Sequence, residues 1–98
     1  MSNILAHIQA LWFRARLALQ RLAFQLYISR RKHRLAGVDL SFLSFRALNL
    51  RGANVRGANL SRSDLSRADL RQADLEGADL SYADLSYADL REANLRRT

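Results

Sequence analysis

Residues 58–95 read ANLSRSDLSRADLRQADLEGADLSYADLSYADLREANL, with an apolar residue at every fifth position and Asp or Asn before each one. The spacing runs back to Val38 in a looser form. Twelve units therefore follow one another, centred on Leu40, Phe45, Leu50, Val55, Leu60, Leu65, Leu70, Leu75, Leu80, Leu85, Leu90 and Leu95. Ser44 alone replaces the Asp or Asn that precedes a centre, and Ala stands two before the centre in eight of the twelve units. These twelve centres are the expected structural core.

The period of five decides the backbone. On an α-helix at about 100° per residue, successive centres would be rotated by roughly 140° and scatter around the cylinder. On a straight strand an odd step sends neighbouring centres to opposite faces. A chain that turns a corner once per unit keeps every centre inward, with the Ala two residues earlier beside it. The expected fold class is an all-β solenoid preceded by one long α-helix.

The units reading Ala-Asp/Asn-Leu, intact at 58–60, 68–70, 73–75, 78–80, 83–85, 88–90 and 93–95, resemble the pentapeptide-repeat family over residues 38–97. The resemblance implies a right-handed, four-sided β-helix with four units per coil, hence about three coils here. The period alone also admits a three-sided prism. Two domains are expected: residues 1–37, a basic amphipathic helix outside the resemblance, and residues 38–98, the β-helix. Residues 96–98 offer no capping element of their own, so the last coil is expected to present an open edge. Some family members resemble duplex DNA in charge and shape and engage type II topoisomerases. That role suits a long acidic rod, whereas residues 39–98 carry nine Arg against nine Asp or Glu, 9 − 9 = 0.

Charge is concentrated at the start. Residues 1–38 hold Arg14, Arg16, Arg21, Arg30, Arg31, Lys32 and Arg34 and no acid, which points to acidic partners. The repeat itself carries no catalytic apparatus. Zero Cys excludes disulfides and thiolate metal sites. His7 and His33 lie far apart with no clustered acid, and the Asp ladder lacks the Gly-rich pattern of calcium-binding solenoids. The serines have no base to activate them. No enzyme, cofactor or metal site is expected.

Residues 4–28 contain neither Gly nor Pro and repeat at helical spacing. Ile4, Ile8, Leu11, Ala15, Leu19, Leu22 and Leu26 form a broad stripe, and Phe13, Leu17, Phe24 and Ile28 a narrower one. The larger residues Val38, Leu43 and Leu48, where later units carry Ala, suggest a first coil widened to receive this helix. A solenoid end needs such a cover. The expectation is that the broad stripe docks near Leu43 and Leu48 while the narrow stripe faces a partner. A helix of this length, roughly 38 Å, outreaches one five-residue side of roughly 17 Å, so it should overhang.

Residues four units apart should stack in columns. Arg51, Arg71 and Arg91 fall beside Asn49, Asp69 and Asp89, and read as a salt-bridged, solvated face. At the corners, Phe42–Arg62–Tyr82 and Ala47–Arg67–Tyr87 are placed to stack arginine on aromatic rings. The expected partner-binding residues are Phe13, Arg14, Leu17, Arg21, Phe24, Ile28, Arg30, Arg31, Lys32, Arg34, Arg62, Arg67, Tyr82 and Tyr87. The leading functional reading is a cytoplasmic, non-enzymatic scaffold or linker subunit. It would bind an acidic protein assembly, with a light-harvesting antenna complex as the concrete version, since the family is abundant in photosynthetic bacteria. A peripheral membrane protein is the second reading. A nucleic-acid or topoisomerase partner is the third, disfavoured by a short basic run without interleaved aromatics. Self-association through the helix or the open last coil is a further expectation.

Overall fold

The computed structural model describes the backbone of residues 2–98 and the side chains of residues 4–11, 14–16 and 20–98. A 30-residue helix, α1 (Ser2–Arg31), runs through one 3₁₀ turn, Lys32–Arg34, into the solenoid. The whole measures 59 × 26 × 22 Å.

The corners come first in the physical account. Every fifth residue from Gly37 to Arg97 has a positive φ, between 57° and 72°. Nine of these residues are not glycine, although that conformation costs an L-residue on the order of 1 kcal/mol. In the corner Leu60-Ser61-Arg62-Ser63, Ser63 N–H donates to the Leu60 carbonyl at 3.2 Å, and only the third residue has positive φ. This is the pattern of a type II turn. Each turn redirects the chain, so the next centre again points inward.

One unit accounts for all five of its backbone N–H groups, which is what a buried backbone requires. Leu60 and Arg62 donate forward, to Asp79 O and Ser81 O, each at 2.8 Å. Asn59 donates backward to Val38 O at 3.0 Å, and Ser63 closes its turn. The fifth, Ser61 N–H, has no carbonyl in reach and donates to the side-chain Oδ1 of Asn59 at 3.0 Å. That bond is the reason Asp or Asn precedes each centre: the short side chain stands in for a missing backbone acceptor. The same bond recurs at Asn49–Arg51, Asp64–Ser66, Asp69–Arg71 and Asp89–Arg91. Ser44 does not offer it to Arg46.

Eight parallel bridges run from Asp39–Asn59 to Asp74–Asn94, and each joins a residue to its counterpart four units on. One turn of the solenoid is therefore four units with four corners. The β character is thinner than an all-β expectation suggests: these are isolated single-residue bridges. Two of five residues belong to the corner, and the rest of each side is too short to build a longer ladder.

Leu40, Phe45, Leu50, Val55, Leu60, Leu65, Leu70 and Leu75 are buried with Ala53, Ala58, Ala68, Ala73 and Ala78 beside them. Ser63 fills an Ala position, is equally buried, and turns its hydroxyl onto Leu60 O at 2.7 Å. Burial fades toward the last coil. Leu80, Leu85 and Leu90 are half-buried, and Leu95, expected in the core, is 40 % exposed, with no coil stacked on it among the described residues.

Two expectations about the first coil change. The stack starts one unit before Val38: Leu35 is buried, its N–H donates to Asn54 O at 3.1 Å, and Gly37 takes the corner with φ 71°. The boundary thus lies near residue 35. The docking face of α1 is also the reverse of the expected one. Phe24 packs on the core, with its ring 5.7 Å from that of Phe45, and Ile28 is fully buried. Leu11, Leu22 and Leu26 of the broad stripe remain about half-exposed. The short connection constrains the choice: only the 3₁₀ turn separates α1 from Leu35, which must enter as an inward centre, so the last turns of the helix are held against the first coil through Ile28 and Phe24. Asn54 N–H donating to Lys32 O at 2.8 Å pins that entry.

Truncating Leu70 to Ala should cost roughly 2–5 kcal/mol through the cavity it leaves, measured by chemical denaturation. Replacing Leu95 in the same way should cost well under half as much. Ser44→Asn should raise stability by about 0.5–1.5 kcal/mol by supplying Arg46 N–H with its missing acceptor; an unchanged denaturation midpoint would remove that role from the Asx position.

Candidate interaction surface

The corners project what the core rejects. A side chain at a positive-φ corner stands clear of the stack, and residues four units apart lie above one another. Arg62 is held between two rings, its guanidinium carbon 5.7 Å from the Phe42 centroid and 5.0 Å from that of Tyr82. On the adjacent corner Arg67 lies 5.1 Å from the Tyr87 centroid. Phe42, Tyr82 and Tyr87 are at the same time 73–84 % exposed. The stacking expected for these columns is present, and it pre-orders two Tyr–Arg ridges that still present most of their surface to solvent.

The face carrying Arg51, Arg71 and Arg91 is a different kind of surface. Arg71 forks onto Asp69 with contacts of 2.9 and 2.7 Å and reaches toward Asp89 at 3.8 Å. Arg91 pairs with Asp89 at 2.6 Å. Arg51 donates to Gln72 Oε1 at 3.4 Å, and Gln72 donates to Glu92 at 2.9 Å. On the neighbouring side Arg56 bridges Asp74 and Glu76 at 3.2 and 3.0 Å. Locally neutralised, this face offers no concentrated charge, and its ion pairs are of the exposed, weakly stabilising kind.

All seven aspartates titrate below the usual carboxylate range. The Ser41, Ser66, Ser81 and Ser86 hydroxyls, followed by the backbone N–H groups of the same residues, hold down Asp39, Asp64, Asp79 and Asp84. Hydrogen bonding from Arg71 brings Asp69 to about 2, and Arg91 lowers Asp89. At Asp74 burial pushes upward, but the Glu76 N–H and Arg56 together prevail. The carboxylates thus serve the stack in their charged form.

The sequence-selected residues scatter over several surfaces. Arg62, Arg67, Tyr82 and Tyr87 come together as ridges. Arg30 and Arg31 end α1, where the helix dipole favours cations, with Arg31 lying 4.7 Å over the Tyr27 ring. Lys32 and Arg34 form the 3₁₀ turn. Arg14 is exposed, and Arg21 borders a groove of about 220 Å³ between α1 and the first coil, with Phe24, Leu43 and Leu48. Phe24 and Ile28 are spent on the solenoid and drop out of any partner surface. The side chains of Phe13 and Leu17, and of Leu19 in the broad stripe, lie outside the described residues. The backbone role of the half-buried Lys32, whose carbonyl accepts from Asn54 N–H, and the stacking of the exposed Tyr27 on Arg31 were missed.

Comparison with known proteins places this geometry. The model of the pentapeptide repeats matches residues 34–62 and 58–97. This chain belongs to the pentapeptide-repeat family. Among solved structures, HetL, a pentapeptide repeat protein involved in heterocyst differentiation regulation in the cyanobacterium Nostoc, is 32 % identical with a TM-score of 0.52, over 59 % of this chain and 36 % of HetL. A pentapeptide repeat protein of the Arabidopsis thaliana thylakoid lumen is 37 % identical over 63 % of this chain and 46 % of its own, with a TM-score of 0.47. A second Nostoc pentapeptide repeat protein is 36 % identical over 72 % of both chains, again at 0.47. The chain thus spans about a third to a half of the first two. Comparison with curated proteins yields no significant match. The matched residues are those of the solenoid, a β-helix type of fold whose family consists in general of structural and interaction proteins.

The depressed aspartates set an acid limit. A carboxylate whose folded-state pKa lies below its unfolded value stabilises the fold above that unfolded value and loses the contribution as pH falls through the folded one. Thermal stability should therefore be flat above about pH 5, decline below about pH 4, and keep declining toward about pH 2, where Asp69 protonates last. Asp69→Asn should flatten the lowest part of that decline. A melting temperature unchanged down to pH 2 would show that the Asp ladder does not hold the corners in its charged form.

Proposed function

We propose that this pentapeptide-repeat chain is a non-enzymatic scaffold or linker subunit whose solenoid binds an acidic protein assembly. The observation that carries the reading is the pair of Tyr–Arg ridges. Tyr82 and Tyr87 are each 84 % exposed yet ordered by Arg62 and Arg67. Ordered Tyr and Arg side chains meet a partner at little entropic cost, and both residue types are enriched where binding energy concentrates. The net charge of +7, all of it on residues 1–38, supplies long-range attraction to an acidic surface. Arg30, Arg31, Lys32 and Arg34 add the short-range cations. An antenna complex is the concrete form of such an assembly, a choice that rests on charge and on the family's abundance in photosynthetic bacteria. The platform we envisage is a right-handed, four-sided rod. It has about three coils, the number that residues 35–98 make at four units per turn.

Capture from the producing cell at low salt tests this reading, comparing the wild type with Tyr82→Ala/Tyr87→Ala. The double variant should keep the wild-type circular dichroism and lose the acidic partner by about thirtyfold, as for two residues at a binding hot spot. Raising the salt should release the partner from the wild type. Retention of the same acidic components by the double variant would sink the assignment of the ridges.

A further inference from the structure

The docked side of α1 is only half of the helix. On the other side Ile4, Leu5, Ile8, Leu11, Leu22 and Leu26 are 44–65 % exposed. At about 100° per residue these positions span an arc of roughly 120°, centred on the side opposite Phe24 and Ile28. The arc is wider than the narrow seam that a single partner helix covers. Exposed arginines flank it: Arg16 stands at one rim with Arg30 just inside it, and Arg14 lies beyond the other. The whole of α1 contains no acidic residue.

We propose that this free face of α1 lies on an anionic lipid surface, with the apolar arc in the acyl boundary and the flanking arginines on the headgroups. A broad apolar arc flanked by cations, without any acid, is the chemistry of an interfacial helix. A second copy of α1 would set cation against cation. An acidic partner helix would leave the outer part of the arc, including Leu5, uncovered. The solenoid attaches near the C-terminal end of α1, through Phe24 and Ile28 on the reverse side, so it does not obstruct a flat surface along residues 4–26. No helix among the described residues is long and apolar enough to cross a membrane, so the contact is one of lying on the bilayer. The inference concerns a surface distinct from the Tyr–Arg ridges and stands independently of the partner proposed for them.

Vesicle flotation of the full chain tests it, with phosphatidylcholine vesicles alone and mixed with phosphatidylglycerol. The wild type should float with the anionic vesicles and stay behind with the neutral ones. Leu22→Asp replaces an exposed residue, so it should keep the wild-type melting curve while losing flotation. Arg14→Gln/Arg16→Gln/Arg30→Gln should weaken binding on the order of a hundredfold, given the worth of each cation near an anionic surface. Tyr82→Ala/Tyr87→Ala should float like the wild type, which separates this face from the ridges. Equal flotation with neutral vesicles, wild-type flotation of folded Leu22→Asp, or no flotation of the wild type would each overturn the proposal. So would capture of an acidic protein on this face by a chain that ignores anionic vesicles.

Discussion

Everything in this chain depends on a corner taken once every five residues in the left-handed backbone region. Thirteen such corners, from Gly37 to Arg97, bring each residue over its counterpart four units later. Only in that register do the centre and corner N–H groups find carbonyls in the next coil. A type II turn does not enforce itself on a non-glycine residue. Here the turn is held from both sides: the centre carbonyl takes the N–H three residues on, and the Asp or Asn before the centre takes the N–H one residue after it. Burial of the centre adds the driving force. Each unit is a small assembly in which backbone geometry, one carboxamide or carboxylate and one apolar side chain are mutually required.

A stack built by nearest-neighbour contact has ends, and the ends differ. At the start, α1 covers the first coil with Phe24 and Ile28, and the largest centre, Phe45, sits under Phe24. The last coil shows the reverse, with centres progressively exposed as far as Leu95. Stability in such an array is expected to follow burial, highest around the fully buried centres and lower toward Leu95. The helix therefore serves the fold with one face, and for that reason its other face is free to serve something else.

The charges divide in a similar way. Within the solenoid, aspartates that cap corner N–H groups stand above one another from coil to coil. Their repulsion is relieved either by intervening amides, as at Asn59 between Asp39 and Asp79, or by arginines, as at Arg71 between Asp69 and Asp89. These carboxylates are occupied. The net positive charge lies on α1 and its 3₁₀ turn, ahead of the aspartate ladder that begins at Asp39.

The solenoid, the twelve centres, the stacking of Arg62 and Arg67 on their aromatic neighbours and the overhang of the helix were legible in the residues, because each follows from a period of five or from helical spacing. On the coil side of the cap Leu48 was legible for the same reason, whereas Val38 and Leu43, expected to be covered with it, stay 38 % and 37 % exposed because the helix crosses only part of the first coil. Which face of α1 docks was not. Hydrophobic width favoured the broad stripe, but the tertiary structure selected the narrow one, since a single 3₁₀ turn links the helix to the inward-facing Leu35 and holds the side that carries Phe24 and Ile28 against the first coil. Leu35 itself kept the period of five and had Gly37 at its corner. Arg34 and His33 in place of Asp/Asn and Ala concealed it. Local pattern determines what a unit is. Only the closed stack, in which Lys32 O meets Asn54 N–H and Phe24 meets Phe45, decides where the first unit begins and which way the helix must face.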